Sequence, residues 1–127
     1  MSVLEGIRVL DFGRYIAGPC CATLLGDFGA EVIRVEKVDG SEDRFTAPIT
    51  EDGEGCLFLQ LARNKQSLTL NPMKPEGREV LARLVATADV VLANLPFETL
   101  EAMGLDYQSL KAIKEDIISV TPSAFGS

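Results

Sequence analysis

Four short stretches carry residue types able to hold an anion. The first is GRYIAGP, Gly13–Pro19, in which two glycines permit close backbone approach, Ala17 adds little bulk and Pro19 suits the first turn of a following helix. Such a turn can cradle a phosphate or an acyl group at a helix N-terminus. It lacks G-x-G-x-x-G and is therefore not the dinucleotide fingerprint, and a tight strand-to-helix turn without a ligand accounts for the same residues. The second is Arg63-Asn64-Lys65, where Arg would grip a phosphate as a fork and Lys as a point charge; a solubilising turn is the alternative. The third is Lys37 with Arg44, at the start of a long acidic segment that otherwise reads as a solvated excursion. The fourth is the polar turn Asn94-Leu95-Pro96, directly after an apolar run.

These stretches need a scaffold that brings them to one edge. Ile7, Val9, Leu10 and Phe12 form one apolar run of strand length, and Val32, Ile33 and Val35 form a second. Between them Cys20, Cys21, Leu24, Leu25 and Phe28 share one face of a 3.6-residue helix, which Gly29 is placed to end. Strand, helix and parallel strand make a βαβ unit, and ligands of such sheets bind beyond the carboxyl ends of the strands. Leu57–Leu61 is apolar, and Ser67–Leu70 alternates as a half-buried strand. Pro75–Ala88 is the clearest helix, with Val80, Leu81, Leu84, Val85 and Ala88 on one stripe. Asp89–Ala93 reads as a buried strand, Phe97–Met103 as a short helix closed by Gly104, Asp106 as the cap of another, and Ile117–Val120 as a last strand. Asp11, at the end of the first strand, reads as a turn acid.

At 127 residues the chain is one domain, 1–127, with an ordinary globular balance of 46% hydrophobic and 24% charged residues. A formal net charge of −7 argues against nucleic acid and anionic membrane surfaces as partners, while a small anion remains admissible where cations cluster. Three cysteines, no histidine and no C-x-x-C pair leave no disulfide framework and no metal site. A reducing, cytoplasmic setting follows, and no stretch approaches the ~18 apolar residues of a membrane span.

The same residues resemble the family III CoA-transferases. The likeness runs through LEGIRVLDFGRYIAGP (Leu4–Pro19), LLGDFGAEVIRVEKVDGSEDR (Leu24–Arg44), ARNKQSLTLN (Ala62–Asn71), PEGREVLARLVATADVVLAN (Pro75–Asn94), MGLDYQSL (Met103–Leu110) and IISVTPSAFG (Ile117–Gly126). The resemblance implies an α/β fold, a Rossmann-like open parallel sheet with helices on both faces, and an N-terminal portion of a larger enzyme whose subunits interlock as a homodimer. It implies movement of CoA between carboxylic acids through an aspartyl-CoA thioester, with the catalytic aspartate beyond Ser127 and so no catalytic residue here. Acyl-CoA and a carboxylic acid would be substrates, with no tightly bound cofactor. Carried over by position, CoA phosphates and adenine would lie near Lys37, Asn64, Lys65, Asn94, Leu95 and Pro96, and the acyl end near Tyr15, Ile16 and Ala17. Three positions depart from the usual pattern. Phe97-Glu98 stands where the family usually has Pro-Gly, in the pattern N-F-x-P-G, Ala102 where an arginine is common, and Ile16 where formyl-CoA transferases have Gln, which argues for a less polar acyl group. A 2-methylacyl-CoA racemase of the same family and a non-catalytic α/β binding module are the alternative functions.

Overall fold

The computed structural model describes residues 1–124 and 126. The SAFG turn singled out above therefore lies partly outside the described residues. Ten elements alternate in the order β1 (Arg8–Asp11), α1 (Ala17–Asp27), β2 (Glu31–Glu36), α2 (Cys56–Leu61), β3 (Gln66–Thr69), α3 (Pro75–Ala86), β4 (Val90–Leu92), α4 (Phe97–Met103), α5 (Tyr107–Ile113) and β5 (Ile118–Val120). The five strands pair in parallel in the order β3-β2-β1-β4-β5. The chain winds outward from β1 to β3, then returns to build β4 and β5 on the other side of β1, so the strand order switches direction between β1 and β4.

Alternation along the strands supplies a core on each face. Leu10, Phe12, Val35 and Val91 meet Leu81 and Val85 of α3, Leu100 of α4 and Leu110 of α5. Val9, Val32 and Val90 point the other way, toward Ala22 of α1 and Ala30. The expected open parallel sheet with helices on both faces is the observed fold. Local signals also land where they were read. Gly104 closes α4 with φ 70°, and the Asp106 carboxylate accepts from the Ser109 N–H at 3.0 Å to cap α5.

Two expectations need correction. The face of α1 turned to the sheet is Gly18, Pro19, Ala22, Thr23 and Gly26, whereas Leu24 and Phe28 are 52% and 57% exposed. Small residues are required there because other groups already fill the space. A Cβ on Gly26 would sit 3.3 Å from Val32 Cγ2, and the Asn64 amide donates to the Gly26 carbonyl at 3.1 Å. The acidic segment after β2 is likewise no loose excursion. Its 3₁₀ turn, Glu42–Phe45, inserts Asp43 against buried Arg34, with Nη2 donating to both carboxylate oxygens at 2.8 and 2.9 Å. Buried Glu36 accepts from the Ser41 N–H at 2.9 Å and from Arg44 Nη2 at 2.6 Å, while Phe58 of α2 lies under the Arg44 guanidinium at 4.1 Å. Sequence reading took β2 as an apolar strand and missed that Arg34 and Glu36 share a face that only oppositely charged partners can cover.

Candidate functional site

The site is built at the switch point. Asp11 ends β1 with its side chain fully buried; Oδ1 accepts from the Gly13 N–H and Oδ2 from Lys65 Nζ, each at 2.8 Å. The Lys65 ammonium donates also to the Pro19 carbonyl at 2.8 Å, so one lysine joins the end of β1 to the first turn of α1. Burial lowers its pKa below the ordinary lysine value, against the opposing pull of Asp11. Asp11 is thus the turn acid expected of it. Burial, followed by the nearby Asp11 carboxylate, pushes the Cys21 thiol up, away from the reactive thiolate form.

Across the switch point Asn94, just after β4, grips the turn at both main-chain polar groups of Arg14. Its Oδ1 accepts from the Arg14 N–H at 2.6 Å and its Nδ2 donates to the Arg14 carbonyl at 2.8 Å. The two glycines of the turn approach each other rather than an open space. A Cβ on Gly18 would lie 2.8 Å from Gly13 Cα and from Asn94 Oδ1. Tyr15 takes a left-handed φ of 59°, which turns the chain into α1.

Two clefts open beside this turn. A groove of about 450 Å³ runs between the segments that follow β2 and β3 and the start of α4, lined by Arg14, Lys37, Glu42, Asn71, Leu95 and Thr99 among others. A shallower cleft of about 520 Å³ lies over Ala17, Asn94, Leu95, Pro96, Pro122 and Ser123. Leu95 lines both, so the clefts adjoin. Their volumes fall in the range of small-molecule sites, roughly 300–1,000 Å³. Charge in the groove is largely neutralised from within. Lys37 is paired with Glu42, whose carboxyl is held below the usual range first by that hydrogen bond.

The structure brings together Ala17, Lys37, Asn94, Leu95 and Pro96 along these clefts, with exposed Tyr15 and Ile16 on the same turn. The main-chain positions of Asn64 and Lys65 lie elsewhere, although the Lys65 side chain reaches back to Asp11 and Pro19. They precede β3, at the amino edge of the sheet, where they line a separate hollow with Ala30, Glu31, Val32 and Gln66. Lys65 was expected to reach an anion from an open turn; its side chain is 2% exposed and committed to Asp11. Arg44, similarly, is committed to Glu36. The residue that sequence reading passed over is Arg14, whose one available signal was its position directly after a glycine at the carboxyl end of a strand. Among the described residues no group of three His, Cys, Asp or Glu side chains is placed to hold a metal ion.

Sheet order, switch point and adjoining clefts define an open parallel α/β protein with its two clefts at the carboxyl ends of the strands. The chain belongs to CoA-transferase family III, whose sequence model matches residues 4–127. It is 42% identical over 125 residues to the succinyl-CoA–L-malate CoA-transferase beta subunit of Chloroflexus aurantiacus, covering 97% of this chain and 31% of that protein. It is 38% identical over 127 residues to the succinyl-CoA:glutarate CoA-transferase of Mus musculus, covering 99% of this chain and 29% of the relative. Among solved structures, a CAIB/BAIF family protein from Brucella suis superposes with a TM-score of 0.85 at 39% identity, over 93% of this chain and 32% of that one. A hypothetical protein from Mycobacterium tuberculosis superposes with a TM-score of 0.90 at 34% identity, over 100% of this chain and 34% of that one. The chain therefore spans about a third or less of the length of the relatives it matches.

Proposed function

We propose that this chain forms the CoA-binding α/β portion, residues 1–127, of an enzyme that moves CoA between carboxylic acids. The observation that carries the reading is the pair of adjoining clefts at the strand ends of a chain in this family. One has the volume of a small-molecule site and largely apolar walls, and the other flanks the Tyr15-Ile16-Ala17 turn where an acyl group would lie. In this reading Lys37, Leu95 and Asn94 border the CoA, Pro96 and Ala17 border its acyl end, and acyl-CoA acts as substrate rather than as a resident cofactor. The roles first given to Asn64 and Lys65 become indirect: Lys65 supports the turn through Asp11 and Pro19. No carboxylate of this chain is assigned as the nucleophile, and Asp11, enclosed by Gly13 and Lys65, is unsuited to it.

Several relatives name succinyl-CoA as donor, and a short dicarboxylate is our proposed acceptor class. A homodimer and a cytoplasmic location complete the proposal. The dimer is supported by the apolar outer face of α1, and the location by three free cysteines, with no helix among the described residues long and apolar enough to cross a membrane. The test is to incubate the longest protein encoded by the reading frame with succinyl-CoA and malate, citramalate or glutarate, and to follow new CoA esters by mass spectrometry. A new ester with one of these acceptors is the expected result. Exchange of an α-proton in 2-methylacyl-CoA without any CoA transfer would replace this reading with that of a racemase.

A further inference from the structure

We propose that Arg14 is the anion-gripping residue of the groove, and that it holds a phosphate of the nucleotide half of an acyl-CoA. The identity of the ligand rests on the function proposed above, whereas the anion site rests on the geometry of the groove alone.

The side chain of Arg14 is folded back along its own turn, with Nη1 donating to the Phe12 carbonyl at 3.0 Å and the Gly13 carbonyl at 2.9 Å. Its main chain is fixed independently by the two hydrogen bonds to Asn94. The guanidinium is therefore positioned from two sides before any ligand arrives. Its Nε–Nη2 edge, the one that can meet two oxygens side by side, has no protein partner among the described residues, and no carboxylate lies within ion-pair distance of it.

The other cations near this edge are already engaged. Arg34 meets Asp43, Arg44 meets Glu36, Lys65 meets Asp11 and Lys37 meets Glu42. Of the two cations that line the groove, Arg14 alone keeps a free fork. Burial first, then the charge of Arg34, opposes its positive charge, while Asp43, Glu42 and Asp11 favour it. A guanidinium held in that balance, partly desolvated and without a direct counter-ion, gains more from an incoming dianion than a solvated one does. Apolar walls from Val35, Leu70, Met73, Leu95 and Met103 leave room beside it for a base, and the carboxylates of Asp39 and Glu42 line the same groove.

The experiment follows the Arg14 Nε–H resonance in the ¹⁵N-labelled 127-residue protein, assigned by its loss in Arg14→Lys, while CoA, dephospho-CoA, pantetheine and inorganic pyrophosphate are added in turn. Calorimetry on the wild type, Arg14→Ala and Arg14→Lys gives the affinities. The expected result is a moving Arg14 signal with CoA, and CoA binding weakened about tenfold to a hundredfold in Arg14→Ala, the range of a hydrogen bond to a charged group. Arg14→Lys should weaken it less, and pantetheine should not shift the signal. Equal losses for CoA and dephospho-CoA would place Arg14 on the diphosphate. A loss confined to the preference for CoA over dephospho-CoA would place it on the 3′-phosphate. If CoA binds the wild type while the Arg14 signal stays still and both variants bind normally, the proposal is overturned and the CoA reading survives. If CoA fails to bind both this protein and the longest protein encoded by the reading frame but pyrophosphate moves the signal, the anion site stands and the CoA reading falls. If neither moves it, the site is refuted.

Discussion

Replacing Glu36 with Gln should convert the acid sensitivity of this fold into a measurable difference. Burial alone would raise the Glu36 carboxyl, but the Arg44 hydrogen bond, the Ser41 N–H and the charge of Arg34 outweigh it and hold the pKa at about 2 instead of 4.5. At about 1.36 kcal/mol per unit, that depression corresponds to about 3 kcal/mol of folding stability. The folded value lies below the unfolded one, so the contribution is fully present above the unfolded value, falls as pH drops from 4.5 to about 2, and is absent below both.

The Gln variant removes the titrating charge at nearly constant shape. It should be about 3 kcal/mol less stable than wild type at pH 7, and the two stability curves should converge as pH approaches 2. Urea unfolding followed by far-UV circular dichroism from pH 7 to about pH 2 measures this; the sequence has no Trp for a fluorescence readout. A gap below about 1 kcal/mol at neutral pH, or a gap that stays constant into acid, would refute the account of this carboxylate. The readout bears on function as well, because Glu36 holds Ser41 and Arg44 of the segment whose Lys37, Val38, Asp39 and Glu42 wall the groove.

Three further perturbations test the rest of the site. Lys65→Met leaves Asp11 buried with only the Gly13 N–H, and should cost about 3–5 kcal/mol in urea unfolding; Asp11→Asn in the same chain should recover part of that loss. Gly18→Ala places a Cβ 2.8 Å from both Asn94 Oδ1 and Gly13 Cα, so thermal unfolding should report a loss of about 1–3 kcal/mol; an unchanged melting temperature would mean that the turn and α1 are looser than their contacts indicate. Arg78→Ala removes the guanidinium that donates to the Pro72 and Ala102 carbonyls, beside opposite walls of the groove, and should cost about 1.5 kcal/mol in unfolding free energy while weakening CoA binding in calorimetry.

Elements with a clean local signature were legible in the sequence. Gly104 and Asp106 act through the conformation and hydrogen bonding of a few neighbouring residues, and the apolar runs of β1, β2 and β4 need only their own composition. The buried face of α1 was not legible, because two stripes with identical helical spacing compete for it. Hydrophobicity favours Cys20, Cys21, Leu24, Leu25 and Phe28, yet the small residues win because Val32, Asn64 and Lys65 leave no depth for larger ones. The Arg34–Glu36–Asp43–Arg44 cluster was hidden for a related reason. Each residue is ordinary on a surface, and only the return of the segment after β2 makes all four necessary to one another. Part of the candidate site was visible as a glycine-rich turn and an Asn-Leu-Pro turn, but their juxtaposition depends on β4 lying next to β1.

That juxtaposition explains how a protein of formal net charge −7 can offer a place to an anion. Its surplus acids cancel most nearby cations pairwise, so a long flexible lysine at the rim, such as Lys37, must exchange Glu42 for a ligand and gains little by it. Arg14 differs because its position is set by groups that carry no net charge: the Asn94 amide and the carbonyls of Phe12 and Gly13. The neighbouring Asp11–Lys65 pair stiffens the same turn while cancelling its own charge internally. Rigidity supplied by neutral or self-neutralised contacts lowers the ordering cost of binding without consuming the charge that binds. The turn between β1 and α1 is therefore the place on this edge where an acidic fold keeps a guanidinium without a direct counter-ion among the described residues, and the strand switch at β4 is what holds it there.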